Sequence, residues 1–265
     1  MDALPAWLLP VLFTGFVWWA GTGIVYFLNQ LHPQTHGWSM MGASAVLGGA
    51  LLALLLTARE TGPGGPYHAF LCAILIWAWA EMGFLTGRIA GVDRRPLPEG
   101  TQGWARFTAA VRAILHHELA LLVLSALVLG LSWGQPNQVG LWTWAVLYTA
   151  RLSTKLNLFL GARNFGDAML PPHLSHLPSY FRRRAMNGFF PVSLLFWAGM
   201  TWWLFVRALD PATPEFEATG LAMVGALAAL AVLEHLFLVL PIRAEALWTW
   251  SRRNPHPPVK GMESP

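Results

Sequence analysis

Long apolar runs separated by short polar stretches dominate this chain. A helix needs about 20 consecutive apolar residues to cross the hydrocarbon core of a bilayer, and about seven runs approach that length. Gly, Pro, Asn and Asp fill several of the shorter connections, as expected of turns. The pattern predicts an all-α, polytopic transmembrane helix bundle with spans near residues 7–28, 39–57, 67–87, 111–132, 138–160, 188–208 and 219–240.

The composition agrees with a membrane location. Hydrophobic residues make up 55% of the chain and charged residues 11%, with a mean hydropathy of +0.47. A soluble domain has roughly 25% charged residues. The first run has neither a basic stretch before it nor a cleavage signature after it, so we expect it to stay as an anchor. We divide the chain into a single transmembrane helical domain over 1–241 and a cytoplasmic tail over 242–265, which is amphipathic at first and then disordered.

Basic residues indicate how the helices are oriented. If successive spans alternate in direction, one side receives the N-terminus with Arg59 and Arg207 as its only Lys or Arg residues, and the other side receives most of the arginines. Cytoplasmic loops carry the excess of Lys and Arg in membrane proteins. The sequence therefore predicts a periplasmic N-terminus and a cytoplasmic C-terminus.

Ionisable residues recur at one depth, toward the predicted cytoplasmic ends of four spans. A charged side chain in a bilayer is costly unless it is paired or faces a cavity, so we expect these groups to face one another. Arg151 and Lys155 share a helix face and supply two cations to balance the glutamates. The predicted polar cluster consists of Glu81, His116, His117, Glu118, Arg151, Lys155, Asn157, Glu234 and His235.

Two interpretations of the polar cluster stay open. It is either a charge-neutralised network that fixes helix packing, or a binding site for a metal ion, a tetrapyrrole or a polar headgroup. His117 and His235 are the candidate ligands for a metal ion or for the magnesium of a chlorophyll. A ferritin-like di-metal site is disfavoured, because no glutamate of the cluster is followed by a histidine three residues later.

Further histidines keep a metalloenzyme among the alternatives. His32 and His36 lie four residues apart, and His173 and His176 form a looser pair. These fragments resemble the histidine boxes of membrane desaturases and hydroxylases, although the full set of boxes is missing. A nucleophile elbow, a phosphate-binding glycine loop and a Cys-x-x-Cys pair are also missing from the sequence.

A basic stretch comes just before the sixth predicted span. There Tyr180 is expected at the membrane interface, and the guanidinium groups of Arg182, Arg183 and Arg184 are expected to reach phosphates or acidic protein surfaces. The alternative is a topology signal without further function. The net charge of +4 favours anionic headgroups or acidic partners over nucleic acid.

Three stretches carry a family resemblance: 111–120 (VRAILHHELA), 136–139 (PNQV) leading to 151–161 (RLSTKLNLFLG), and 179–184 (SYFRRR). Together they resemble the photosynthetic complex assembly protein family PuhE, over the whole chain except the tail after Pro241. That family is encoded near the reaction-centre H subunit in phototrophic bacteria.

The resemblance implies the process in which the protein takes part, but it implies no reaction that the protein catalyses. It implies a factor in the bacterial inner membrane, cytoplasmic or intracytoplasmic, that assists assembly of reaction-centre and light-harvesting complexes. Its partners would be their subunits or pigment-synthesis proteins, together with membrane lipids, and its candidate ligand a bacteriochlorophyll or a metal ion. Since the resemblance supplies no catalytic residues, we expect a role other than catalysis. The alternatives are a hydroxylase-like metalloenzyme acting on a pigment or its isoprenoid tail, and a purely structural scaffold.

Overall fold

Helices account for nearly all the regular structure of the chain. The computed structural model describes residues 5–166, 169–242 and 244–251. Each predicted run overlaps a long α-helix, and no strand occurs among the described residues. The helices are α1 (Leu8–Asn29), α2 (His36–Thr57), α3 (Gly65–Leu85), α4 (Gly103–Ser132), α5 (Val139–Leu160), α6 (Phe190–Ala208) and α7 (Glu215–Phe237).

Five of these helices, α1, α2, α3, α4 and α7, are long and apolar enough to cross a membrane. α5 and α6 are outside that set. The second half of α5 carries Arg151, Lys155 and Asn157, which lower its mean hydropathy. The chain is therefore a helical membrane protein, while the seven-span topology and its orientation stay predictions.

The helix connections meet at two opposite ends of the bundle. At one end, the buried side chain of Asn137 donates to the carbonyls of Thr57 and Gly65, at 3.0 and 2.9 Å, which joins the α2–α3 and α4–α5 connections. At the other end, the amide of Arg163 donates to the carbonyl of Leu238 at 3.0 Å, so the α5–α6 connection meets the chain after α7. Successive helices accordingly alternate in direction.

α3 lies at the centre of the bundle and packs against α1, α2, α4, α5 and α7. Phe70 and Ile76 on α3 are completely buried, together with Leu121 of α4 and Met223 of α7. A helix that is apolar all round fits such an internal position. Large apolar side chains on α2 and α6 instead point outward, for example Leu52 and Leu195, as expected of surfaces that face lipid.

α4 begins at Gly103, well before the predicted start at residue 111. Arg106 interrupts the apolar run without ending the helix. Its guanidinium is buried, donates to the carbonyls of Phe159 and Tyr180 at 2.7 and 2.6 Å, and lies over the Phe159 ring. The predicted boundary was wrong because a satisfied arginine is compatible with a buried helical turn.

The segment Ala244–Ser251, called here the C-terminal segment, forms 3₁₀ turns that lie against α1. The indole of Trp19 donates to the carbonyl of Leu247 at 2.8 Å, and the indole of Trp248 donates to the carbonyl of Trp19 at 3.0 Å. The ring of Trp250 occupies the space in which a side chain at Gly23 would lie. The part of the tail predicted to be disordered, from residue 254 onward, lies outside the described residues.

Candidate functional site

A cavity of about 570 Å³ lies between α1, α3, α4, α5 and α7, at the end of the bundle where the C-terminal segment packs. We call it the charged cavity. Most of its wall is apolar, with aromatic side chains from all five of these helices. The members of the predicted polar cluster that line it are Glu81, Glu118, Arg151, Lys155 and Glu234.

Two ion pairs cross the charged cavity from α5. Nη2 of Arg151 lies 3.1 Å from Oε2 of Glu81 on α3, and Nζ of Lys155 donates to Oε1 of Glu118 on α4. One helical turn of α5 thus presents its two cations to two different helices. Glu234 of α7 lies within electrostatic range of Arg151, so carboxylates approach this guanidinium from two helices.

The third glutamate has a neutral neighbour rather than a cation of its own. The side chain of Trp18 on α1 lies beside the carboxyl group of Glu234. Four helices therefore contribute ionisable groups to one depth of the bundle, and a fifth contributes an indole ring.

Several polar atoms in this cavity lack hydrogen-bond partners among the described residues. They are Oε1 of Glu81, Nε of Arg151 and Oγ1 of Thr154, all buried, and all three residues line the cavity. Although Arg151 lies inside the bundle, 37% of its side chain is accessible, because it borders the cavity. Empty space beside unpaired donors and acceptors is an arrangement that can bind a polar group.

The loop between α3 and α4 fixes the position of Glu118. The amide of Val92 donates to the carbonyl of Arg112 at 2.9 Å, and the amide of His117 donates to the carbonyl of Ala90 at 3.1 Å. Between these bonds, Gly91 lies so close to the backbone of α4 that a Cβ atom would overlap the carbonyl of Ala113. The loop therefore holds the turn of α4 that carries Glu118.

The predicted histidines on α4 do not line the charged cavity. His116 is exposed on the outside of α4. His117 is completely buried, and its ring lies 4.7 Å from that of Phe84, which does line the cavity. The carbonyl of Ala80 interacts with the His117 ring, but neither ring nitrogen has a partner in hydrogen-bond geometry among the described residues.

His235 has a structural role. Its Nδ1 donates to the carbonyl of Ala231 at 2.8 Å, which leaves Nε2 as the acceptor for the Ser153 hydroxyl, also at 2.8 Å. Both ring nitrogens are occupied, and the contact ties α7 to α5. His235 is not placed to ligate a metal in this arrangement.

The described residues contain no group of three or more His, Cys, Asp or Glu side chains that could hold a metal ion. His36 hydrogen-bonds the carbonyl of Leu31 at 3.1 Å, and His173 that of Leu85 at 2.8 Å. His32 accepts from the amide of Gln34. Three of the four histidines in the box fragments thus contact the backbone, whereas Nε2 of His176 is buried without a hydrogen-bond partner among the described residues.

Asn157 belongs to a buried network that joins α5 to the start of α6. Its side chain donates to Oγ of Ser193 at 3.0 Å, and it accepts from Asn187, also at 3.0 Å. Asn187 further donates to the carbonyl of Gly161 and accepts from the amide of Phe190. The sequence interpretation missed Asn187, although an Asn just before a helix is a recognised capping signal.

Tyr180 lies in the protein interior, so its predicted place at the membrane interface was wrong. Only 4% of the residue is exposed, and its hydroxyl donates to the carbonyl of Arg95 at 2.9 Å. Burial raises the pKa of the Tyr180 phenol, which keeps the donor proton in place. The side chain joins the α3–α4 connection to the α5–α6 connection instead of facing lipid.

The three neighbouring arginines are exposed. The backbone of Arg182 and Arg184 pairs with that of Ala162, and the guanidinium of Arg183 lies 4.8 Å from the ring of Phe165. The stretch is therefore a fixed strip on the surface at the end of the bundle that holds the charged cavity.

A second cavity, of about 470 Å³, lies next to the charged cavity. The two share Tyr26, Met169, Leu170 and Trp248 in their walls. Oδ1 of Asn29, which lines the second cavity, is buried without a partner among the described residues. No sequence pattern pointed to this cavity, because its lining comes from segments far apart in the chain.

Comparison with known proteins places the chain in a family. It is similar to an uncharacterized 30.4 kDa protein in the puhA 5′ region of Rhodobacter capsulatus, with 36% identity over 263 residues, covering 98% of this chain and 95% of the relative. No solved structure matches the chain. The family described as "Protein of unknown function (DUF3623)" matches residues 4–258, and the chain belongs to that family.

Proposed function

We propose that the protein is an inner-membrane assembly factor for bacterial photosynthetic reaction-centre and light-harvesting complexes, with the charged cavity as its working site. The observation that carries the photosynthetic role is the relative in the 5′ region of puhA, a photosynthesis gene. This is the gene neighbourhood that the resemblance to PuhE implies.

The proposed topology has seven spans with a periplasmic N-terminus and a cytoplasmic C-terminus. α5 and α6 lie between helices that are apolar enough to cross, and alternating directions require both to run from one end of the bundle to the other. The charged faces of α5 point inward to the cavity. The positive-inside rule then puts the charged cavity near the cytoplasmic leaflet, where its ligand could be exchanged with pigment-synthesis proteins.

The charged cavity suits an amphipathic molecule such as a pigment. Its apolar and aromatic wall matches a large apolar body, and its polar atoms match carbonyl or hydroxyl groups. Histidine ligation of a bacteriochlorophyll does not fit, because both nitrogens of His235 are occupied and His117 lies behind Phe84. Recognition by shape and polar contacts is therefore the proposed mode, and no metal coordination is part of it.

The exposed strip Arg182–Arg184 is the proposed contact for a partner. It lies at the same end of the bundle as the charged cavity, so an acidic subunit surface bound there would lie near the ligand. Guanidinium groups bind carboxylates in bidentate fashion.

A purely structural scaffold is the second candidate. It is favoured by Asn157 and His235, two predicted site residues whose hydrogen bonds go to neighbouring helices. The metalloenzyme alternative has no comparable support, since the described residues lack a convergent set of metal ligands.

The test is complementation of a gene deletion in the phototrophic host. Wild-type protein is compared with Ala78→Phe, which fills the charged cavity from α3, and with Ala198→Phe on the exposed face of α6. Near-infrared absorption of isolated membranes reports the assembled complexes. We expect loss of this absorption in the deletion and in Ala78→Phe, with Ala198→Phe near wild type. Normal complexes in the deletion strain would refute the assembly role. Normal complexes in Ala78→Phe would refute the charged cavity as the working site and leave the purely structural scaffold as the proposed function.

A further inference from the structure

We infer that the charged cavity binds a neutral amphipathic molecule, one whose polar group both donates and accepts hydrogen bonds, and that it rejects anionic amphiphiles. This deepens the proposed function and rests on the charged cavity being its working site. The inference comes from the charges, the unpaired atoms and the apolar wall of the cavity.

The charges that line the cavity exclude an anion. Four carboxylates line it, from Glu81, Glu118, Glu234 and Glu245, against the two cations of Arg151 and Lys155. Both cations are already engaged in ion pairs. An anionic headgroup would find no cation among the described lining residues that is not already paired with a carboxylate, and it would be repelled by the excess carboxylates, most strongly where water is excluded.

The unpaired atoms specify the polar group of the ligand. Oε1 of Glu81 is an acceptor, Nε–H of Arg151 is a donor, and the Thr154 hydroxyl can serve as either. Arg151 and Thr154 are three residues apart on α5 and so lie on one face, while Glu81 is bonded to that same guanidinium. Because unpaired buried polar atoms are unfavourable, a hydroxyl or an amide placed here would be bound with its donor and its acceptor both satisfied.

The rest of the wall specifies an apolar body. Phe107 of α4 and Phe159 of α5 lie edge to face, at 5.8 Å between ring centroids, and Trp77 of α3 contributes a third ring. Leu227 and Leu230 of α7 add aliphatic surface. Such a wall stabilises a long hydrocarbon or a flat ring system by burying it, while the charged residues hold its polar end.

The experiment compares two probes that differ in charge. Purified protein in nanodiscs is titrated with tritiated octadecan-1-ol and with tritiated octadecanoate, and binding is read by scintillation proximity. We expect saturable binding of the alcohol and at least about tenfold weaker binding of the carboxylate, since one like charge in a site of low dielectric has that effect or more. Equal binding, tighter binding of the carboxylate, or no saturable binding of the alcohol would overturn the inference.

Variants of cavity residues test whether the probe binds in the charged cavity. Thr154→Val should weaken binding of the alcohol. Glu234→Gln should reduce the difference in affinity between the two probes, because it removes one excess carboxylate. The control is Glu217→Gln, which alters the exposed Arg207–Glu217 pair at the other end of the bundle and should change neither affinity. If both cavity variants bound the probes as wild type does, the binding site would lie elsewhere.

The two proposals fail in distinguishable ways. Loss of photosynthetic complexes in Ala78→Phe together with preferred binding of octadecanoate would keep the assembly role and refute the ligand class. Preferred binding of the alcohol together with normal complexes in the deletion strain would keep the ligand class and refute the assembly role.

Discussion

Polar residues inside this bundle differ in whether their hydrogen-bonding atoms are satisfied. Asn187 and His235 bond to neighbouring helices through their side-chain nitrogens or oxygens. Glu81, Arg151 and His117 each leave a buried atom unpaired among the described residues. Satisfied groups fix the packing of the helices, whereas unpaired groups beside a cavity indicate ligand binding. Residue type alone does not make this distinction.

Asn187→Ala should lower the free energy of unfolding by about 1–3 kcal/mol, because it leaves the carbonyl of Gly161 and the amide of Phe189 without their partner. The thermal unfolding midpoint in detergent micelles measures the effect. Gln102→Ala, at an exposed position with no capping side-chain bond, is the control and should stay within about 0.5 kcal/mol of wild type. An unchanged midpoint in Asn187→Ala would contradict the network.

His117→Leu and His235→Leu should have different effects on the thermal unfolding midpoint. His117 is buried with both ring nitrogens unpaired, so an apolar side chain of similar size should leave the unfolding midpoint unchanged or raise it. His235→Leu leaves the Ser153 hydroxyl without its partner on α7 and removes the contact between α7 and α5, which should lower the midpoint. A strong loss of stability in His117→Leu would instead reveal a partner or ligand for that imidazole.

At the scale of elements, the C-terminal segment closes one side of both cavities through Trp248. Its attachment to α1 depends on indole rings that pack against that helix. Trp248 lies 5.4 Å from the ring of Trp18, and Trp250 lies 5.2 Å from that of Trp19. The closure therefore depends on Gly23, where the ring of Trp250 leaves no room for a side chain.

Gly23→Ala should displace the C-terminal segment from α1. Gly15→Ala on the same helix is the matched control, because a Cβ atom there meets no other atom within 4 Å. Hydrogen–deuterium exchange of residues 244–251 reports the attachment. We expect faster exchange in Gly23→Ala and exchange near the wild-type rate in Gly15→Ala. The same rate in both variants would show that the contact with Gly23 is dispensable.

The connection between α5 and α6 should respond to pH through His176. Burial, assisted by the charge of Arg94, lowers the pKa of this imidazole. The unfolded chain then binds more protons than the folded protein below the ordinary histidine pKa of about 6.5. Stability is thus complete above that value and falls as the pH falls. His176→Gln should flatten the dependence of the unfolding midpoint on pH between about 5 and 7, and a curve parallel to that of wild type would contradict this assignment.

Much of the element structure follows from hydrophobicity alone. Each predicted run coincides with a helix, because burial or lipid contact of some 20 apolar residues leaves few other options. The start of α4 could not be predicted from hydrophobicity. Arg106 breaks the apolar pattern, but its guanidinium donates to two carbonyl groups in distant segments. Tyr180 was misplaced for a similar reason: its partner, the carbonyl of Arg95, lies in a different connection.

At the scale of the whole molecule, the charged residues of four helices meet in one cavity, as their common depth predicted. Depth in the membrane follows from the position of a residue along its span, so the proximity of Glu81 and Arg151 could be predicted from the sequence. Rotation of a helix about its axis is not encoded so simply. His117 and Glu118 are adjacent in the chain, yet only Glu118 faces the cavity, because about 100° separates consecutive residues on a helix.

The Lys155–Glu118 pair couples α5 to α4 across the charged cavity. Removing one partner of a buried pair strands a charge, whereas removing both together is often tolerated. A double variant can therefore keep the fold and change the cavity. The exposed Arg207–Glu217 pair at the other end provides a control of the same chemistry.

The role of the charged cavity is tested most directly by the near-infrared absorption of membranes from the phototrophic host carrying Lys155→Met with Glu118→Leu, at protein levels matched to wild type. We expect loss of the absorption of the photosynthetic complexes in this variant, and wild-type absorption in the control Arg207→Met with Glu217→Leu. Wild-type absorption in both variants, with both proteins stably inserted, would contradict the claim that the charged cavity is the working site.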